Sequence, residues 1–222
     1  MIVIKVIKYG KKLEMKMKEA KLALWKETIM FLIIYFALVV CFRWYPQNCF
    51  AVVVQIGSGV FPIILFWINN EEIGKLGFKK DNIIKQIEYG ILMSVIIFCI
   101  VFVIFFVAGA QIEVRELSRK YIITNLINNV CVVGFGEEIL WRGYFLQRFR
   151  VLFQKDFLAI ILNAILFGAL HFVIHENIIQ VFVAFGFSIV VCNAYIKSKN
   201  ITILSLIIAH GIYDFLIQLF NM

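Results

Sequence analysis

Long apolar stretches recur along the whole chain, separated by short polar connections. Each is close to the roughly 20 residues that a helix needs to cross the hydrocarbon core of a bilayer. Backbone polar groups in lipid need internal partners, so these stretches are predicted to be helices, and none shows the alternation of a barrel strand. We expect seven spans, over residues 28–42, 50–68, 89–110, 121–141, 157–174, 178–196 and 201–220.

The composition supports a membrane protein. The chain is 63% hydrophobic and 16% charged, with 23 Phe and only 2 Pro in 222 residues. Such a chain has too little polar surface to cover a soluble globule. The sequence therefore predicts an all-α, polytopic membrane helix bundle of about seven transmembrane helices in contact with membrane lipids. We find no repeat or linker, and expect one membrane domain over residues 1–222.

The segment before the first span is a basic arm. Leu13, Met17, Ala20 and Leu24 recur in it at helical spacing among many lysines. This pattern predicts an amphipathic helix that lies on the membrane surface. No cleavage site follows the first apolar stretch, so we interpret that stretch as an anchor and not as a signal peptide.

Positive charge is distributed unevenly between the two sides of the predicted bundle. Of the 22 Lys and Arg, 18 fall in the arm and in the connections after the second, fourth and sixth spans. The positive-inside rule then places the N-terminus in the cytoplasm and the C-terminus outside, in an integral plasma-membrane protein. The net charge of +8 is accounted for mainly by this topology, so we expect no nucleic-acid partner. The five cysteines form no CxxC pair and are interpreted as small hydrophobic residues.

Ionisable residues inside the spans need a reason, because each costs a few kcal/mol at mid-membrane. Glu137, Glu138 and Arg142 lie near the end of the fourth predicted span. At i,i+4 spacing Glu138 and Arg142 share a helix face and are expected to form an ion pair, which leaves Glu137 available for chemistry. Snorkelling of all three to the water interface is the alternative.

Histidines and a carboxylate occur in the fifth and seventh spans. A lone histidine on an apolar helix face, such as His171, is more often a packing residue than a ligand. His175, beside Glu176, is predicted to lie in a loop. His210 and Asp214 share a helix face at i,i+4. Three spans thus carry residues suited to acid–base chemistry, and we expect them to face one cavity. No such cluster is recognised in the first, second, third or sixth span.

The order of these residues resembles a known family. Glu137-Glu138 with Arg142 reads as EExxxR, Phe167 with His171 as FxxxH, and His210 with Asp214 as HxxxD. This ordered set, within residues 121–222, resembles the CAAX protease and bacteriocin-processing family, of the Abi type, whose members are intramembrane peptidases.

The resemblance implies an intramembrane endopeptidase that cleaves a small peptide or membrane-associated protein substrate. By position, Glu137 would activate water, His171 would help to hold it, and His210 with Asp214 would stabilise the oxyanion. Glu138, Arg142 and Phe167 would support the site. Members of the family are commonly described as metalloproteases, so the sequence leaves open whether Zn²⁺ is bound. If it is, its ligands would come from His171, His210, Glu137 and Asp214.

Two other functions are compatible with these residues. A membrane protein that gives immunity to a bacteriocin by binding would keep the fold without the chemistry. A transporter or proton relay would also use membrane-embedded Glu, His and Asp, although the chain lacks the internal repeat common in transporters. The peptidase hypothesis makes a geometric prediction: polar atoms of Glu137, His171 and His210 converge within about 6 Å, and His175 and Glu176 lie outside the cluster.

Overall fold

A computed structural model describes the backbone of residues 2–44 and 48–220 and the side chains of residues 14–41, 43 and 50–220. Within these residues the regular elements are helical, as the sequence predicts. There are seven main helices: α1 (Ile2–Trp44), α2 (Asn48–Ile68), α3 (Ile83–Val107), α4 (119–153), α5 (Asp156–His175), α6 (Ile178–Lys197) and α7 (Ile203–Leu219). A single 3₁₀ turn, Ile73–Leu76, lies between α2 and α3.

Five of the seven helices are long and apolar enough to cross a membrane by length and composition. They are α3, α5, α6 and the segments Glu14–Cys41 of α1 and Phe50–Ile68 of α2. α7 is apolar but has 17 residues. α4 is long but carries charged residues in its middle. These five helices make the chain an integral membrane protein.

α4 is the central helix of the bundle. Every residue from 136 to 146 is buried, and the helix packs against α2, α5 and α7. A helical segment buried on all sides faces protein and not lipid, so its polar side chains can find partners from neighbouring helices. Two π-helical segments, Asn129–Gly134 and Ile139–Phe145, flank the glutamate pair, and such segments occur frequently at functional sites.

The length of α4 changes the predicted depth of the glutamates. The expected span ended at residue 141, which would have left Glu137 close to the membrane surface. The helix instead continues through Phe153, so Glu137 lies near its middle. Arg142, expected in a cytoplasmic connection, is likewise fully buried in the bundle. The prediction that these charges lie near the helix end was therefore wrong.

The basic arm and the first predicted span form one continuous helix, α1. The predicted arm is helical, but no break at residue 28 separates it from the span, so the expectation of a distinct surface-lying helix was wrong. Met17 and Ala20 are exposed and Leu24 is half-buried. The side chain of Leu13 lies outside the described residues.

One end of the bundle, here called the basic end, joins α1, α4, the α2–α3 connection and the α6–α7 connection. Arg148 pairs with Glu71 at 2.6 Å and with Glu27 at 3.3 Å. Lys79 Nζ donates to the carbonyl oxygen of Lys199 at 2.7 Å. These contacts tie together the segments that carry most of the lysines.

The opposite end, here called the distal end, joins α1, α5, α7 and the α3–α4 connection. Arg43 donates to the carbonyl oxygen of Ile174 at 2.9 Å and pairs with Glu176. The backbone N–H of Arg115 donates to the carbonyl oxygen of Leu219 at 3.0 Å. Each described helix end thus belongs to one of two opposite faces, as expected of a polytopic bundle.

Two glycines allow helices to approach α4 closely. A Cβ at Gly136 would lie 2.1 Å from the carbonyl oxygen of Gln55 on α2. A Cβ at Gly211 of α7 would lie 2.5 Å from the Cα of Val130. Real Cβ atoms do not tolerate such contacts, so small residues at these positions bring α2 and α7 against the glutamate pair.

Candidate active site

The carboxylate of Glu137 is buried, and α2 holds it in place. Gln55 Nε2 donates a hydrogen bond of 3.0 Å to Glu137 Oε1. The side chain of Glu137 is 6% exposed, and its second oxygen, Oε2, has no hydrogen-bond partner among the described residues. One oxygen is therefore fixed, while the other is left with the capacity to accept a hydrogen bond.

His210 of α7 lies beside both glutamates. Its Nδ1 lies 2.6 Å from Glu138 Oε1, and its Nε2 lies 3.9 Å from Glu137 Oε2. Asp214, one turn further along α7, places Oδ2 3.4 Å from the same Nε2. Because an ionised carboxylate only accepts hydrogen bonds, Nδ1 donates to Glu138. The Nε2 atom of the ring then faces Glu137 and Asp214.

Glu138 and Arg142 form the expected ion pair. Arg142 Nη1 donates to Glu138 Oε1 at 2.8 Å, and neither side chain has any exposed surface. The guanidinium also lies over the rings of Phe167 and Phe187, at 4.5 and 5.5 Å from their centroids. Such stacking is favourable for a poorly hydrated cation, so the pair is well accommodated in the protein interior.

His171 of α5 is oriented by its own helix. Its Nδ1 lies 2.9 Å from the carbonyl oxygen of Phe167. A carbonyl oxygen can only accept, so Nδ1 carries the proton, and a neutral ring presents a lone pair at Nε2. The rings of His171 and His210 lie 4.6 and 6.2 Å from the ring of Phe167. Both histidines therefore flank one aromatic side chain.

Glu137, His171, His210 and Asp214 line a cavity of about 470 Å³, within the size range of small-ligand sites. Glu137 and His210 are buried at its inner part, whereas Gln180 and Gln218 are exposed. The walls between them are largely apolar or aromatic and include Tyr35, Val39, Val54, Ile174, Val183, Phe187, Tyr213 and Ile217. The cavity thus has a polar inner part that an apolar passage joins to the exposed residues.

The structure brings the predicted polar residues together. Glu137, His171, His210 and Asp214 all line this cavity, and the polar atoms of Glu137 and His210 meet the predicted distance. Asp214 lies beside His210, as expected from i,i+4 spacing. Convergence was not forced by the sequence, because the three helices could have directed these groups at different neighbours.

His175 was wrongly predicted to lie in a loop outside the cluster. It is the last residue of α5, it lines the cavity, and its ring centroid lies 6.1 Å from that of His171. The helix continues one turn past His171 before Glu176 ends it with a positive φ of 51°. Glu176 itself pairs with Arg43 and is exposed, as predicted.

Gln55 was missed by the sequence analysis, which recognised no polar cluster in the second span. A single amide in the apolar run VVVQIGSGV was the available signal. Polar residues within a membrane helix face the protein interior, so that amide could have been expected to meet a polar group on another helix. The sequence gives no information on which group it meets.

The arrangement does not fit a metal centre. In the part of the chain whose side chains are described, no three His, Cys, Asp or Glu side chains are placed so that they could hold one metal ion. His210 Nδ1 is engaged by Glu138, and His171 Nδ1 by a backbone carbonyl. The four residues considered for Zn²⁺ line one cavity without forming a ligand set.

Comparison with known proteins identifies a family for the second half of the chain. Residues 119–216 match the model of the family described as type II CAAX prenyl endopeptidase Rce1-like. The matched segment covers α4 to α7, including every motif residue from Glu137 to Asp214. No curated protein and no solved structure matches the chain.

Proposed function

We propose that the chain is an intramembrane endopeptidase of the CAAX protease family, whose Rce1-like model matches residues 119–216, and that Glu137 activates the attacking water. The family implies a protease with a peptide or protein substrate in a membrane context. The substrate proposed here is a small peptide or a membrane-associated protein. The observation that carries the proposal is the buried Glu137 carboxylate, which has an unpartnered oxygen 3.9 Å from His210 Nε2.

Glu137 acts as the general base. Oε1 is held by Gln55, so Oε2 is the oxygen that accepts a proton from water. His171 contributes the lone pair of Nε2, which accepts the second hydrogen of that water and orients its oxygen toward the substrate carbonyl.

His210 stabilises the negative charge that develops on the substrate carbonyl oxygen. In the proposed mechanism the ring is an imidazolium, which donates from Nδ1 to Glu138 and carries a second proton on Nε2, beside Asp214. Asp214 accepts from Nε2–H in the resting site and so orients the ring. As the oxyanion forms, Nε2–H donates to it, which is the type of preorganised donor that accelerates acyl transfer.

The reaction balances without a covalent intermediate. Water oxygen forms a bond to the carbonyl carbon, and Glu137 takes the released proton. The tetrahedral intermediate then collapses: the C–N bond breaks, and the proton on Glu137 passes to the leaving amine. The products are a new carboxylic acid, which loses its remaining water-derived proton to solvent, and a new amine, and Glu137 is ionised again. As a general base, Glu137 takes the proton from water without the help of a metal ion.

The experiment is to incubate the purified full-length protein in lipid nanodiscs with a library of hydrophobic peptides. Mass spectrometry would then identify paired fragments that add up to one parent peptide plus water. In H₂¹⁸O the new carboxyl terminus should carry the label, because water attacks directly. Peptides that remain intact at enzyme concentrations giving full occupancy of the cavity would contradict an endopeptidase.

A further inference from the structure

We infer that the catalytic cavity opens at the distal end of the bundle, so that the substrate is a hydrophobic peptide segment presented from the non-cytoplasmic side of the membrane. That the molecule entering the cavity is a substrate rests on the proposed function. The side on which the cavity opens does not depend on that function. It follows from where the cavity-lining residues lie along their helices, taken together with the distribution of positive charge.

Most of the lining residues come from the distal halves of their helices, whereas Glu137 and His210 lie at the middle of theirs and Arg115 lies in the α3–α4 connection. α1, α5 and α7 run toward the distal end, and each lines the cavity through its C-terminal half, at Tyr35, His171 and Gln218 for example. α2, α4 and α6 start from that end, and each contributes its N-terminal half, through Gln55, Asn129 and Gln180 among others. Among the residues whose side chains are described, none at the basic end lines the cavity.

The solvent exposure of the lining residues increases toward the distal end of the bundle. Glu137 and His210 are buried, and the residues that follow Glu137 on α4 are buried without interruption to residue 146. That packed segment closes the cavity toward the basic end. Toward the distal end the lining residues become exposed, at His175, Gln180 and Gln218. A substrate therefore reaches Glu137 from the distal face.

The distal face carries few positive charges. Apart from Arg43, Arg115, Arg119 and Lys120, the lysines and arginines lie in the arm, near the basic end or within the bundle. Arg142 and Arg148 are buried, so they do not count toward topology, yet the excess at the basic end persists without them. The positive-inside rule then assigns the basic end to the cytoplasm and the distal end to the outer side.

The chemistry of the passage defines what enters. Its walls are aliphatic and aromatic, so they suit apolar side chains, and its rim carries amide and imidazole groups. A hydrophobic peptide on its way out of the cell, or the outer juxtamembrane segment of a membrane protein, fits both features. A substrate displayed only at the cytoplasmic face would have no path to Glu137.

The test is cysteine labelling in intact bacterial cells that express the full chain. Cys41, Cys49, Cys99 and Cys131 are replaced by serine, and buried Cys192 is kept. Single cysteines are then introduced at two rim positions, Gln180→Cys and Gln218→Cys. The matched controls at the basic end are Lys16→Cys and Lys79→Cys, which are also exposed.

A membrane-impermeant maleimide should label both rim cysteines in intact cells, and the two controls only after the membrane is permeabilised. The reverse pattern would overturn the inference, because the cavity would then open to the cytoplasm. Rim cysteines that stay unlabelled in intact cells while the permeabilised cells react would overturn it as well. Two rim positions on different helices protect the test against one variant that fails to insert.

In a second experiment, a peptide that the purified protein cleaves is fused to a membrane-anchored reporter. In one fusion the peptide lies on the outer side of the membrane, and in the other it lies on the cytoplasmic side. Glu137-dependent cleavage should occur only for the outer placement. Cleavage of only the inner placement would overturn the inference while leaving the peptidase intact. Labelling does not require catalysis, so a protein with a distal opening and no peptidase activity would refute the proposed function alone.

Discussion

Glu138 and His210 are joined by a contact of 2.6 Å between Oε1 and Nδ1, which links the central helix α4 to α7. The same oxygen accepts from Arg142. A carboxylate with no exposed surface is thus shared between a guanidinium and an imidazole. The contact explains why the chain tolerates two consecutive glutamates: one is neutralised structurally, and its partner histidine is thereby oriented toward the other.

Arg142→Met is expected to destabilise the protein strongly. It removes the cation and leaves Glu138 as a buried charge, which costs about 3–5 kcal/mol in comparable cases. The matched control is Arg150→Met on the same helix, where the ion pair with Asp156 is partly exposed and worth about 1 kcal/mol or less. Thermal unfolding in detergent measures both. Equal shifts in the unfolding temperature for the two variants would contradict the buried network.

Gln55→Leu is expected to lower kcat about 10- to 100-fold and to leave KM nearly unchanged, because it releases one oxygen of the general base without altering the apolar walls. Steady-state kinetics in nanodiscs measures both constants. Ser58→Ala is the matched control on the same helix, since the Ser58 hydroxyl donates to the backbone carbonyl oxygen of Gln55 on its own helix. A loss confined to KM, or the same loss in the control, would argue against a positioning role.

Gly136→Ala is expected to impair activity through helix spacing. Its new methyl group would press on the backbone of α2 at Gln55, and α2 would have to move away from Glu137. Gly57→Ala, on α2, meets nothing within 4 Å and should instead keep full activity, with a slight gain in helix propensity. The comparison uses peptide cleavage and thermal unfolding. Unimpaired cleavage by the Gly136 variant would show that α2 does not need to approach so closely.

The sequence was sufficient for the helical bundle and for the polar residues that line the cavity. Apolar runs near 20 residues predicted the helices, because membrane-spanning backbone has few alternatives to helix. Glu137, His171 and His210 were identified because each is costly in an apolar run and therefore requires a specific partner. The match to residues 119–216 confirmed the family that their order suggested.

The sequence failed where helix continuity and helix contacts decide the outcome. α1 and α4 were predicted too short, because charged residues were taken as the start of the first span and as the end of the fourth. In α4 those charges are instead enclosed by other helices, as the burial of Glu138 and Arg142 shows. The contact between Gln55 and Glu137 depends on how α2 packs on α4, which periodicity within one helix does not contain.

Chelation is expected to leave cleavage unchanged. The described cavity residues do not form a set of three metal ligands, and the proposed chemistry uses Glu137 and His210 directly. Peptide cleavage would be measured after dialysis against EDTA and again after 1,10-phenanthroline, with metal content determined in the same samples. Activity that falls with chelation and returns with one equivalent of Zn²⁺ would contradict this mechanism and favour a metalloprotease.

The most direct measurement of the central claim is peptide cleavage by purified Glu137→Gln in nanodiscs. The amide keeps the size of the side chain but cannot take a proton from water, so cleavage should fall at least about 1,000-fold while the unfolding temperature stays near that of the parent protein. Glu88→Gln, an exposed change on α3, is the control and should cleave normally. Cleavage by a folded Glu137→Gln variant at the parent rate would contradict the assignment of Glu137 as the general base.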